Sequence, residues 1–218
     1  MKRIILLSYL LVSFMALHAQ HKALSLYDFE ETLGTFTSIS GTGTLLTPND
    51  WDDGVTETQA LGFDFEYNGV IYTQYTVNTN GTVNMGDAAI NEETNDLESD
   101  TYVNLITALW DDLKFYSNGS GDGIFTQLDG TSGSQVLTIE YNNVGRYNST
   151  GLVSFQVKLY EADNSIEYIY GDMSGASGWH EYSTTSIGMN ADNTGSVEFI
   201  SVTPDVVNGA TVSSDVEN

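Results

Sequence analysis

The chain reads as an all-β protein, an antiparallel β-sandwich of jelly-roll-like character with about ten to twelve strands. Three observations predict this. Apolar and polar residues alternate with period two over short runs, as in strands with one buried face. Asn-Gly and other turn residues punctuate those runs at fairly even spacing. No long stretch repeats its apolar residues at the 3.6-residue helical period, and proline occurs only at Pro48 and Pro204.

The N-terminus carries an export leader rather than a strand. Lys2 and Arg3 precede an apolar run from Ile4 to Ala16, and Leu17-His18-Ala19 supplies a small-residue cleavage site. That run is too short to span a bilayer, which takes roughly 20 apolar residues. Residues 1–19 are therefore read as a signal peptide and 20–204 as a single domain. Residues 205–218 read as a linker or truncated tail, so the chain is expected to be the front of a larger protein.

Within the domain, Phe63, Phe65 and Tyr67 alternate with Asp64 and Glu66. Asn68-Gly69 then turns the chain into Val70, Tyr72, Tyr75 and Val77, a strong hairpin signal. Asn80-Gly81 leads on to Val83 and Met85. Residues 87–104 break the rhythm; they are acidic, lack alternation and read as a surface excursion with one short helical turn. Leu137, Ile139 and Tyr141 share one strand face, with Thr138 and Glu140 on the other. Val153, Phe155, Val157 and Leu159 point inward against Ser154, Gln156 and Lys158. Ala162-Asp163-Asn164-Ser165 turns the chain toward Ile166, Tyr168 and Tyr170. A Gly/Ser-rich loop around Trp179 follows, and two closing strands lie near 184–189 and 196–202.

Charge narrows the function. The chain has 30 acidic and 6 basic residues, a formal charge of −24. Loss of Lys2 and Arg3 with the leader takes it to −26, leaving Lys22, Lys114, Arg146 and Lys158 as the bases. Such a surface repels phosphates, which excludes nucleic acid and anionic lipid as partners. With no cysteine, disulfides, thiol catalysis and lipid attachment at a processed N-terminal cysteine are all absent. Stability must come from packing, which a domain of this size can supply by burying about 70% of its unfolded surface.

Glu161, Asp163 and Glu167 have the spacing of a jelly-roll glycoside hydrolase, whose retaining pair sits about 5–5.5 Å apart. Asp163-Asn164 reads instead as a turn, which would put Glu161 and Glu167 on different strands. His21 and His180 are the histidines beyond the leader, and neither has a Gly-x-Ser-x-Gly elbow beside it. Asp50-x-Asp52-Asp53 and Asp111-Asp112 are the tightest acidic groups near strands, so Asp52, Asp53, Asp111 and Asp112 are the candidate ligands of a structural calcium. Asp111 and Asp112 cannot both ligate unless their strand has ended, because neighbours on a strand face opposite ways. Trp110 reads as core, whereas Trp51, Trp179 and His180 lie in loops and are the candidate contacts for a ligand.

Three segments in order resemble a known family: Leu61–Gly86 (LGFDFEYNGVIYTQYTVNTNGTVNMG), Ile106–Leu113 (ITALWDDL) and Phe155–Gly171 (FQVKLYEADNSIEYIYG), closed by Ser186-Ile187-Gly188-Met189. The set is similar to N-terminal β-sandwich modules of secreted bacterial surface and adhesion proteins and to nidogen-like extracellular domains. In such proteins adhesion repeats and a sorting domain for type IX secretion often follow. The resemblance implies an extracellular, non-catalytic module contacting a glycan or protein partner. The alternatives are the glycoside hydrolase just described and a purely structural spacer.

Overall fold

Asn68 and Gly69 both take left-handed backbone angles, with φ of 48° and 74°. That is the geometry a two-residue hairpin needs to match strand twist. It joins two strands that pair from Tyr67↔Val70 outward. The computed structural model describes residues 24–117, 121–178, 185–193 and 195–203, and twelve strands lie among them. One sheet contains β1 (Thr44–Leu46), β6 (Leu113–Lys114), β7 (Gly123–Asp129), β8 (Val136–Arg146), β9 (Leu152–Tyr160) and β10 (Ile166–Tyr170). Its order is β1-β7-β8-β9-β10, with β6 also paired to β8. The second contains β2 (Gln59–Tyr67), β3 (Val70–Val77), β4 (Thr82–Met85), β5 (Leu105–Trp110), β11 (Ser186–Asn193) and β12 (Ser196–Ser201), in the order β12-β11-β5-β4-β3-β2. Every pairing is antiparallel. The predicted all-β sandwich is therefore the observed fold. No helix among the described residues is long and apolar enough to cross a membrane.

The chain passes from one sheet to the other after β1, β5 and β10. The passage after β5 takes only Asp111 and Asp112, the tightest corner in the fold.

The core forms where the alternation predicts. Leu61, Phe63, Phe65 and Tyr67 of β2 meet Leu137, Ile139 and Tyr141 of β8 and Val153, Phe155, Val157 and Leu159 of β9 in one buried cluster. Each such side chain contributes about 1.5–3 kcal/mol on removal from water. The tyrosines do more than fill space. Tyr141 Oη on the first sheet donates to the carbonyls of Asn78 (2.8 Å) and Thr82 (3.1 Å) on the second. Tyr168 and Tyr170 on β10 donate across to Gly188 O (2.7 Å) and Ala108 O (2.6 Å), and Tyr75 Oη pairs with Thr126 Oγ1 at 2.9 Å. Four phenols thus tie the two sheets together in a protein without disulfides. Burial drives all four pKa values up, Tyr75 to about 12 and Tyr141, Tyr168 and Tyr170 well above the ordinary phenol value, so the four hydroxyls stay neutral.

Both outer faces are partly roofed, which alternation does not reveal. The acidic excursion packs Leu97 against Leu105 and Trp110 in a second cluster. Trp110 is therefore core, and its Nε1 donates to Glu92 O at 3.0 Å. The excursion holds no helix; its turn is closed by Ser99 N donating to Asp96 O. Fully buried Asn190 on β11 fixes it by donating to Leu97 O and Tyr102 O. On the first sheet, Glu140 and Gln156 are buried under residues 36–40 instead of facing water.

Candidate functional site

The corner after β5 sorts its two aspartates by direction. Asp111 turns inward and is 1% exposed. Arg146 Nε lies 3.1 Å from its Oδ1 and 3.2 Å from its Oδ2, and Thr185 Oγ1 donates to Oδ2 at 2.9 Å. Arg146 ends β8 and pairs with Leu113 of β6, so this ion pair clamps the corner to the first sheet. Asp112 turns outward. Of the four aspartates predicted as ligands, Asp52, Asp53 and Asp112 come together, with carboxylate oxygens within 4.8 Å of one another. Asp111 does not belong to that group, because both its oxygens are already engaged.

The loop that brings Asp52 and Asp53 here is held from three sides. Asn49 Oδ1 accepts from Val55 N (2.8 Å) and Asp50 Oδ1 from Asp52 N (2.9 Å), the short local bonds that make such residues turn formers. Thr79 Oγ1 donates to Asp52 O and accepts from Gly54 N. Asn80 Nδ2 donates to Asp53 Oδ1 at 3.1 Å, while its Oδ1 accepts from Leu113 N at 2.8 Å. Asn91 Nδ2 donates to Asp53 O. Gly81 makes this turn feasible: its φ is +93°, and a Cβ there would sit 1.9 Å from Leu109 O.

Electrostatically the corner is overloaded with acid. The Asp112 pKa is raised from 3.8 to about 6, by burial first and then by Glu93, Asp52 and Asp53, with Arg146 opposing. Lys114 Nζ lies 3.4 Å from Asp52 Oδ2. It also sits over the rings of Tyr147 (4.7 Å) and Tyr116 (5.3 Å). Asp52 Oδ1 is buried without a hydrogen-bond partner among the described residues. An oxygen-rich cluster with surplus negative charge suits a hard cation chemically.

Trp51 is half-buried. Its ring meets Phe115 edge-on at 5.9 Å, and Phe115 N donates to Trp51 O. The half-exposed aromatics of this corner are Tyr116 and Tyr147, which sequence reasoning missed. Their one signal was proximity to Lys114 and Arg146, two of the four bases after residue 20. Trp179 and His180 lie outside the described residues.

The acids of the glycosidase alternative do not share a strand. Residues 161–165 form the turn between β9 and β10, with Asn164 at φ 57° and Ser165 N donating to Asp163 Oδ1. Glu161 Oε2 accepts from the amides of Gly133 (2.8 Å) and Gln135 (2.9 Å). Glu167 Oε2 accepts from Tyr160 Oη at 2.5 Å. Both carboxylates serve the hairpin and its neighbour.

The fold and this corner define an antiparallel β-sandwich module whose surface chemistry sits in loops at a sheet crossing. The chain belongs to the NIDO-related family, whose profile matches residues 26–218. No curated protein and no solved structure matches it. Nidogen-related domains are generally extracellular modules without catalytic activity.

Proposed function

We propose that the chain is a non-catalytic binding or adhesion module of a secreted bacterial surface protein. The leader at residues 1–19 exports it, and it contacts a glycan or protein partner through the loops at the Asp112 corner, Trp51 included. One observation carries the reading. Segments about 60 residues apart converge so that Asp52, Asp53 and Asp112 meet within 4.8 Å beside half-exposed Tyr116 and Tyr147. Aromatic rings offer a partner large contact area at small entropic cost, and acids offer acceptors for hydroxyls or ammonium groups.

The same corner is proposed to take a structural calcium. Calcium accepts about 6–8 oxygen ligands in flexible geometry. Asp52, Asp53 and Asp112 would provide the carboxylates, and solvent would complete the shell. Binding to the folded state alone raises stability by about 2.7 kcal/mol at 100 Kd. For a domain of this size that is about 5–11 °C in Tm. The experiment is a melt of the exported chain with calcium and with chelator, paired with a glycan-array screen in both conditions. A melting temperature indifferent to chelator removes the calcium. Array binding unaffected by Tyr116→Ala and Tyr147→Ala moves the partner site elsewhere.

A further inference from the structure

Three strands place a polar side chain where their alternation calls for an apolar one, and the three meet at one side of the sandwich. On β2, Leu61, Phe63, Phe65 and Tyr67 face the core. Gln59 stands in the same phase, paired with the core residue Tyr75 of β3. On β7, Thr126 takes the phase of buried Ile124, and its Oγ1 meets Tyr75 Oη across the sheets at 2.9 Å. Thr44 of β1 is paired with Thr126 and shares the phase of buried Leu46. Paired residues share a face, so Thr44, Gln59 and Thr126 all point between the sheets. β1 and β2 are edge strands of their two sheets, and no apolar layer closes the gap beside them. A cleft of about 360 Å³ opens there, lined from β1, β7 and β8 on one side and from β2 and β3 on the other.

The chemistry of this cleft is unlike that of the rest of the surface. None of its ten lining residues is charged, in a chain with 30 acidic side chains. A cation finds no carboxylate inside it, and an anion approaches against the field of the whole protein. What the lining offers is neutral. The exposed Thr44 hydroxyl can both donate and accept. Gln59 Nε2 donates to Glu57 O at 2.8 Å, which leaves Oε1 to accept. Tyr75 and Thr126 share one hydrogen bond between two hydroxyls, so one of their two protons remains to donate. Leu128, 42% exposed, adds an apolar wall. Beside Gln59, the β2–β3 register shifts between Ala60 and Phe65, the kind of edge bulge that re-aims side chains next to functional sites. The volume lies at the low end of the roughly 300–1,000 Å³ of small-molecule pockets, which suits one compact ring better than an extended chain. Hydroxyls that donate and accept around an apolar C–H face match this lining. We propose that the cleft binds a single uncharged sugar unit, free or at the end of a neutral glycan. It shares no residue with the acidic cluster of the Asp112 corner, and it does not depend on that corner binding anything.

Amide NMR on the isotope-labelled full chain tests this, with glucose, galactose, mannose and N-acetylglucosamine each titrated to about 50 mM. At least one should give saturable shifts centred on the amides of Thr44, Gln59 and Thr126. Thr44→Val and Gln59→Leu keep the side-chain shape and remove the polar atoms. Each should weaken that binding about twofold to tenfold, in proteins whose spectra otherwise overlay the wild type. Glucuronate, a similar ring carrying a carboxylate, should give no saturable shift. No saturable shift with any of the neutral sugars overturns the proposal, and so does binding that Thr44→Val and Gln59→Leu leave unchanged. Shifts centred instead on Tyr116 and Tyr147 put the sugar at the Asp112 corner and overturn the cleft as its site. Glucuronate binding as tightly as the neutral sugars overturns the uncharged class.

Discussion

Arg146→Met is the sharpest test of how the corner is held. Methionine keeps most of the apolar stem that arginine packs but removes the guanidinium from a carboxylate that is 1% exposed. Breaking a buried pair by removing one partner costs about 3–5 kcal/mol, because the other charge stays behind uncompensated. Here Asp111 keeps two donors, Thr185 Oγ1 and the amide of Asp112, each at 2.9 Å. The loss should therefore fall at the low end, about 3 kcal/mol. In a domain of this size that lowers Tm by about 6–12 °C. Urea denaturation followed by circular dichroism measures it, with an unchanged m-value required for a two-state reading. Arg146→Met combined with Asp111→Leu should recover most of the loss, since a well-packed apolar pair can replace a buried ion pair. A single variant within about 0.5 kcal/mol of wild type, the usual surface range, would refute the clamp. So would a double variant no more stable than the single one.

Three further outcomes follow from the same geometry. Tyr141→Phe deletes the hydroxyl shared by Asn78 O and Thr82 O and should cost about 1–3 kcal/mol in a denaturant melt with no change in fold. Gly81→Ala sets a Cβ against Leu109 O at a positive φ; strain of about 1–3 kcal/mol plus the clash should lower Tm by more than any exposed Gly→Ala change, such as Gly133→Ala. Asp112 has a folded pKa raised to about 6, so its protonated form stabilises the fold, fully below pH about 4 and with loss as pH rises through 6. Asp112→Asn should accordingly be more stable than wild type at pH 7.5 without divalent cations, and the gap should shrink as pH falls through about 6 and close only at about pH 4; a gap independent of pH would mean that the carboxyl is not under that pressure.

Much of the sandwich was legible because strand periodicity depends on neighbours along the chain. Phe63, Phe65 and Tyr67 announce one buried face, and Asn68-Gly69 announces a turn through backbone angles that few other residues accept. The turn at Asp163-Asn164 was readable for the same reason, and it separates Glu161 from Glu167. The site was only half legible. Asp52, Asp53 and Asp112 were recognisable as acids in short clusters, yet their convergence depends on Thr79 and Asn80 anchoring the loop from a different hairpin.

Glu140 and Gln156 show where the local pattern misleads. On β8 and β9 they occupy the polar phase of the alternation, which marks them as outward-facing and does so correctly. Outward-facing becomes solvent-facing only when nothing lies on top, and residues 36–40 do. Tyrosine is similar: its abundance was visible, but which hydroxyls would bridge the sheets was not.

The sequence by itself determined the all-β class, the hairpins, the inward faces, the acidity and the absence of disulfides, because each is fixed by composition or by residues within a few positions. Only the tertiary structure decided which aspartate pairs with Arg146 and which joins the acidic corner. The same holds for which polar residues are buried and which phenols span the sandwich. Those outcomes depend on groups tens of residues apart arriving within about 3 Å, and the alternation that builds each strand carries no record of what will be laid across it.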